Sequence, residues 1–289
     1  MTPAMTSPMN SDRTASVDCA AIQMVSSPDV ADNLARAGQQ IALAAAAGAE
    51  LVVLPEYFCL MGHKDRDKLV LAEQAGDGPI QAALAAWAVQ HGIWLVGGTL
   101  PLRIAGDPDH VSNTCLTYAP DGSLAARYDK IHLFRYDDGE RRYDEAATLC
   151  AGTQPVAFEL RSRAGDTFRV GLSTCYDLRF PELYRALMSP LPCDLFVVGA
   201  AFTYPTGQAH WEVLLRARAI ENQCHVLASA QGGRHANGRR TWGHSLAIDP
   251  WGVVQAVRPE GEGVVMGRVD LARQGDVRRQ LPALTHRVM

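Results

Sequence analysis

The chain has 289 residues, 47% hydrophobic and 20% charged, a balance that can bury a sizeable core. Its net charge of -4 and pI near 6.1 argue against a nucleic-acid partner, which leaves a basic footprint. No apolar run approaches the ~20 residues of a membrane-spanning helix.

Residues 1–17 are polar and rich in Thr, Ser and Pro, and read as a disordered lead. No basic segment followed by an apolar one marks a secretory signal. Residues 18–289 read as one domain, with no linker and no short-period repeat. "CAAIQMVS" predicts a strand and "NLARAGQQIALAAAAGA" an Ala-rich helix. "ELVVLPEYF" is a short apolar strand ending at Pro55. "GPIQAALAAWAVQHG" is a helix opened by Gly78-Pro79 and closed by Gly92. "IWLVGGTL" is a further strand.

The middle breaks this alternation. "SNTCLTYAPDGSLAARYDKIHLF" predicts two strands around a Pro120-Asp121-Gly122 turn. "RYDDGERRYDEAATLCAGTQP" reads as a polar loop. Then "FRVGLSTC" is a strand, "PELYRALM" a helix and "DLFVVGAAF" a strand. "GQAHWEVLLRARAIENQC" is a helix with Glu212 and Arg216 at a supporting i,i+4 spacing. "HVLASAQ", "GHSLAIDP", "GVVQAVR" and "GVVMGRV" close the chain as strands. The alternation gives an α/β fold, in one long sheet or two, with the second half echoing the first. The arginine runs "GRRTW" and "DVRRQ" read as solvated surface.

Seven cysteines, with no C-x-x-C pair, argue against a disulfide framework and a structural zinc. They predict a cytoplasmic protein with reduced thiols. No H-E-x-x-H spacing and no phosphate-binding glycine motif is present, so no metal and no cofactor is expected. Aromatic residues make up only 7%, with no stacking series for a single strand of nucleic acid. Histidines 132, 210 and 244 read as structural hydrogen-bonding residues rather than bases.

Ligands of open α/β sheets bind outside the carboxyl ends of the strands. Glu56 follows one strand, Lys130 ends another run, and Cys175 ends "RVGLST". A carboxylate, an ammonium and a thiol at one edge would support nucleophilic acyl transfer, with Glu56 as base and Lys130 and the Tyr176 N–H on the oxyanion. Taken singly, they read rather as a surface carboxylate, a hairpin cation and a core thiol. Spacing does not join them.

The stretches "LPEYF", "RYDKIHLF", "STCYDLRFPELYR", "AFTYPTGQAHWEVLLRARAIENQ" and "GRRTWGHSLAIDPWG" resemble the nitrilase superfamily of carbon–nitrogen hydrolases, and most closely its Nit branch of amidases. The resemblance spans nearly the whole chain beyond the lead. It implies a four-layer α-β-β-α sandwich and a catalytic Glu56–Lys130–Cys175 triad. It places a second glutamate at Glu145, which orients the lysine. It adds Tyr176, Arg179, Phe202 and Thr203 as substrate-binding residues by motif match. Arg179 then pairs a substrate carboxylate, or else forms a salt bridge to Glu182 or Asp177. The implied substrate is a small carboxylated amide, deaminated glutathione first and α-ketoglutaramate second. A nitrile fits the flanking residues less well. A catalytically silent binding protein on the same fold is the reading from another class. It leaves unexplained why all four chemical types are retained.

One departure from the family falls at Gly199-Ala200, where relatives often carry Pro-Ser. It predicts a looser loop beside the pocket and one hydroxyl fewer. The helix at 207–223 carries one apolar stripe through Trp211, Leu214, Leu215 and Ala217 or Arg218, and a neighbouring one through Val213, Ala217 and Ile220. The second stripe and the resemblance together predict at least a homodimer.

Overall fold

A computed structural model describes residues 15–288, except 138, 140 and 141. The predicted lead lies outside the described residues as far as residue 14. Its last residues belong to the first strand, β1 (Ser16–Gln23), which starts earlier than the apolar run suggests. The reason is its partner: the C-terminal strand pairs with it antiparallel from Ser16 onward, and Val17 is buried.

The first half builds one sheet. After β1 come α1 (Val30–Ala46), β2 (Leu51–Val53), α2 (Asp67–Leu71), α3 (Pro79–His91) and β3 (Trp94–Val96). Three antiparallel strands follow, β4 (Leu100–Ile104), β5 (Asp107–Tyr118) and β6 (Leu124–Asp129). Asp29 caps α1 by accepting from Asp32 N. Pro79 opens α3, and Gly92 closes it at φ 57°, the left-handed conformation its sequence position predicts.

The segment read as a polar loop is more ordered than its composition suggests. It holds a hairpin, β7 (Arg135–Asp137) and β8 (Arg142–Asp144), and then β9 (Leu149–Cys150), which pairs with β5.

The second half builds another sheet. It comprises β10 (Ala157–Arg161), β11 (Thr167–Thr174), α4 (Pro181–Leu187), β12 (Leu195–Ala200), α5 (Tyr204–Asn222) and β13 (His225–Ala230). A small hairpin of β14 (Gly232–Arg234) and β15 (Arg240–Trp242) precedes β16 (Ser245–Ile248) and β17 (Val254–Arg258). The last strand, β18 (Gly263–Asp270), returns to the first sheet, and α6 (Leu271–Gln280) follows. Asp270 caps α6 through Ala272 N and Arg273 N. Within α6, Arg278 donates to the carbonyls of Gln223 and Cys193, so this arginine of "DVRRQ" ties elements together rather than facing solvent alone.

The two main sheets run β18-β1-β2-β3-β5-β4, with β6 and β9 also on β5, and β10-β11-β12-β13-β16-β17. Their inner faces pack on each other: Cys19, Ala21, Leu51 and Val53 meet Leu172, Val197 and Leu227. The alternate residues of the same strands point outward, as the period of two requires. Ala20, Ile22 and Val52 pack under α1 and α3, and Phe196, Val198 and Ala228 under α4 and α5. The result is the four-layer α-β-β-α sandwich. The central strands, β1, β2, β12 and β13 among them, are covered on both faces, which is why they read as apolar runs.

Candidate active site

The strands bearing Glu56 and Cys175 belong to different sheets, so their carboxyl ends meet across the sandwich rather than along one edge. β2 runs parallel to β1 and β3, and β11 runs parallel to β12. Pro55 carries the chain from β2 to Glu56. Gly98, at φ 57°, lies so close that a Cβ there would sit 2.2 Å from the Pro55 carbonyl oxygen. Gly199 belongs to this contact too. It sits inside buried β12, not in a loose loop, and a Cβ on it would lie 3.3 Å from the Leu54 carbonyl. The small residue lets the second sheet approach the Glu56 segment.

Glu56 is 1% exposed and fully bonded. Its Oε1 accepts from Asn113 Nδ2 at 2.9 Å and from Lys130 Nζ at 2.9 Å, and its Oε2 from Ala201 N at 3.0 Å. Lys130 has no exposed surface, and its Nζ also donates to both oxygens of Glu145, at 3.0 and 2.8 Å. Glu145 is fixed in turn by Phe134 N and by the Tyr57 hydroxyl. The backbone of Lys130 is held from both sides, its N–H donating to Asn113 O and its carbonyl accepting from Gly152 N.

Cys175 is the first residue after β11 and stands at φ 52°, a left-handed conformation uncommon for a residue with a Cβ. Such strain persists only where the surroundings enforce it. Asp177 enforces it here. One of its oxygens accepts from Thr174 N and from the Tyr128 hydroxyl, and the other from His132 N and the His132 ring. This stitches the Cys175 turn to the segment carrying Lys130. His132 has the structural hydrogen-bonding role its context predicts, and it stacks on Phe180.

Burial, reinforced by the nearby Glu56 charge, pushes the Cys175 thiol well above its usual value of 9.0. Burial also raises the Glu56 carboxyl, although Lys130 opposes the rise. For Lys130, burial works against the charge, but Glu145 and Glu56 outweigh it and hold the ammonium well above 10.5. The resting site therefore holds a neutral thiol beside a carboxylate that is more basic than usual. Thiolate forms only as a base takes the proton during attack.

Glu56 and Cys175 open into one pocket, while Lys130 lies behind them without lining it. Glu56, Glu145 and Cys175 line it, as do Tyr176, Arg179, Phe202 and Thr203. Neither alternative salt bridge of Arg179 forms. Asp177 is consumed by the network above, and the Arg179 guanidinium lies instead over the Tyr176 and Phe202 rings, with one nitrogen 3.2 Å from His210 Nδ1. Arg239 and Arg240 of the "GRRTW" run also line the pocket rather than forming a plain surface patch. Among the described residues, Asp107, His110 and Cys150 bring potential metal-ligand atoms within 4.8 Å of one another. They lie on β5 and β9, and none of them lines the pocket.

The sequence matches the carbon-nitrogen hydrolase family over residues 18–279. The chain belongs to this family. It is accordingly an enzyme that hydrolyses carbon–nitrogen bonds. It is 43% identical over 273 residues to the deaminated glutathione amidase of Synechocystis sp., an alignment covering 93% of this chain and 97% of that one. It is 37% identical over 272 residues to the omega-amidase NIT2 of Pongo abelii, covering 93% and 94%. Among solved structures it superposes on Saccharomyces cerevisiae Nit3, a member of branch 10 of the nitrilase superfamily. That match has a TM-score of 0.82 and 28% identity, covering 95% of this chain and 97% of Nit3.

Sequence reasoning missed Asn113, Asp177 and the Ala201 N–H. Asn113 lies mid-strand in β5, where only the sheet register shows that it reaches Glu56. A backbone N–H leaves no residue signature at all. Asp177 lies inside the recognised motif, and its capping position three residues after Thr174 was the available signal.

Proposed function

We propose that this chain is a thiol amidase that hydrolyses deaminated glutathione, with Cys175 as nucleophile and Glu56 as proton shuttle. The observation that carries this reading is that Glu56, Glu145 and Cys175 line one pocket, with the buried Lys130 bridging the two carboxylates behind it. Glu56 takes the thiol proton as sulfur attacks the amide carbonyl. Lys130 Nζ and the Tyr176 N–H stabilise the resulting oxyanion. The tetrahedral adduct collapses, the carbon–nitrogen bond breaks, and the amine leaves with the proton from Glu56. A thioester on Cys175 remains. Glu56 then takes a proton from water, whose oxygen attacks the thioester, and the returning proton releases the thiol. Glu145 holds Lys130 in place throughout. Arg179 pairs the carboxylate of the acyl chain, with Phe202 and Thr203 against the chain itself. The scheme needs no metal and no organic cofactor.

The similarity to deaminated glutathione amidases favours that substrate, in a metabolite-repair role. The second reading, an omega-amidase acting on α-ketoglutaramate, is supported by the 37% identity to NIT2. Product release from a panel of small amides tests both. Turnover of neither compound would overturn the substrate assignment.

A pH dependence follows from the raised Glu56 carboxyl. The base must be ionised to accept the thiol proton, so kcat/KM falls as the pH drops through its pKa. Because that pKa lies above the ordinary 4.5, the acid limb is expected above 4.5. A pH–rate profile checks this, and a limb at or below 4.5 would contradict it.

The seven free cysteines fit a reducing compartment, and we assign the protein to the cytoplasm. We also assign it a homodimeric or higher assembly. Trp211, Leu215 and Ala219 of α5 are buried against the second sheet, while Val213 is 68% and Ile220 48% exposed. Trp251 and Val253, in the turn beside Ile220, are also exposed. A two-fold pairing of this apolar face would be isologous. Light scattering at micromolar concentration is expected to give a multiple of 31.3 kDa, and a single-chain mass refutes the assembly.

A further inference from the structure

Five cations line the pocket, namely Lys64, Lys68, Arg179, Arg239 and Arg240. Arg239 is neutralised by Asp65 at 2.7 Å, and Arg240 by Glu260 at 2.8 Å. Lys64 is exposed to solvent. That leaves Lys68 and Arg179, neither of which has a carboxylate within ion-pair distance among the described residues. The proposed reaction uses Arg179 for the acyl chain. It gives Lys68 no task.

Lys68 lies on α2 and is half-buried, with its Nζ 5.7 Å from the centroid of the Tyr57 ring. Burial lowers its pKa, although Glu145 and Asp65 favour its charge. A partly desolvated ammonium without a hydrogen-bonded anion is a cost in the free enzyme, and a bound anion relieves it.

Its place relative to the chemistry decides what that anion belongs to. Tyr57 follows Glu56 directly, and its hydroxyl bonds Glu145. Glu56 hands its proton to the leaving nitrogen, so the amine half of the substrate faces the Glu56–Tyr57 segment. Arg179 stands over Tyr176 and Phe202, on the Cys175 side, and comes from the second sheet's half of the chain. Lys68 comes from the first. Lys68 and Arg179 thus reach the pocket from different halves of the chain.

We propose that Lys68 binds a carboxylate on the amine leaving group, so that the enzyme prefers amides of an amino acid or short peptide over primary amides that release ammonia. This rests on the amidase reaction proposed above, and it separates the two substrate readings. Deaminated glutathione and α-ketoglutaramate share their acyl half. The first releases a carboxylate-bearing dipeptide and the second releases ammonia. Lys68 has an anion to bind only in the first.

Calorimetric titration of both compounds into Cys175→Ala protein, with and without Lys68→Met, tests this without turnover. Lys68→Met is expected to lower the affinity ratio of deaminated glutathione over α-ketoglutaramate by about 10- to 100-fold, the range for a hydrogen bond to a charged group. Lys68→Arg is expected to keep most of that preference. Equal losses on both compounds, no loss on either, or no preference in the parent protein would each overturn the inference. Turnover by the unsubstituted chain reads the amidase reaction separately. If neither compound is hydrolysed while the affinity contrast holds, the reaction falls and the anion site stands. If both are hydrolysed without the contrast, only the anion site falls.

Discussion

Replacing Cys175 with alanine is expected to lower hydrolysis at least ~1000-fold while leaving the chain folded, because the covalent route is lost and only binding and oxyanion stabilisation remain. The side chain lines the pocket wall, and the removed atom is small, so the stability loss is expected to stay near ~1 kcal/mol. Cys115→Ala is the matched control. Cys115 is a buried thiol in the inter-sheet core, with its pKa pushed up to about 12 by burial, and its loss should leave most of the activity. Steady-state rates and thermal melts of the two variants decide the point. Near-normal turnover by Cys175→Ala would remove the nucleophile from the scheme.

Lys130→Met is expected to lower kcat and kcat/KM together by ~100- to 1000-fold, the effect of deleting one oxyanion donor. A rise confined to KM would make Lys130 a ground-state binding residue instead. The same variant strands Glu56 and Glu145, which face each other across the ammonium with little access to water. Breaking a buried pair by removing one partner costs about 3–5 kcal/mol, so a large drop in melting temperature should accompany the kinetic loss. Lys130→Met combined with Glu145→Gln removes one of the stranded charges. It should recover part of the stability and none of the activity. That combination separates the two roles, because a merely structural lysine would let activity return with the fold.

Much of the site was legible because its residues sit where an α/β chain changes direction. Glu56 and Cys175 each follow an apolar run within two residues, and Lys130 ends the hairpin opened by Pro120-Asp121-Gly122. The helix caps at Pro79 and Gly92 were legible for the same reason: both residues have a backbone preference that acts locally. What stayed hidden depends on pairing between distant segments. The hydrophobic period of β2 and β11 says that each is buried, not that they lie in different sheets. The hairpin at β7 and β8 was read as a loop because "RYDD" and "RYDE" are polar and short, and cross-strand pairing rather than composition makes them strands. The helical period put Arg218, or else Ala217, on the apolar stripe with Trp211 and Leu215. Its guanidinium is buried, donating to the Leu178 carbonyl beside the Cys175 turn, a bond that no helical period announces. Arg179 shows the converse. Its neighbours in sequence offered two carboxylates, and the fold gives Asp177 to other donors while leaving the guanidinium to the pocket.

The most direct test of the central claim is mass spectrometry of the intact protein, acid-quenched during turnover of deaminated glutathione. The covalent scheme predicts that a fraction of the chain carries the mass of the acyl half. It also predicts that peptide mapping places the adduct on Cys175 and on none of the other six cysteines. Full turnover with no adduct at any quench time, together with undiminished turnover by Cys175→Ala, would contradict it.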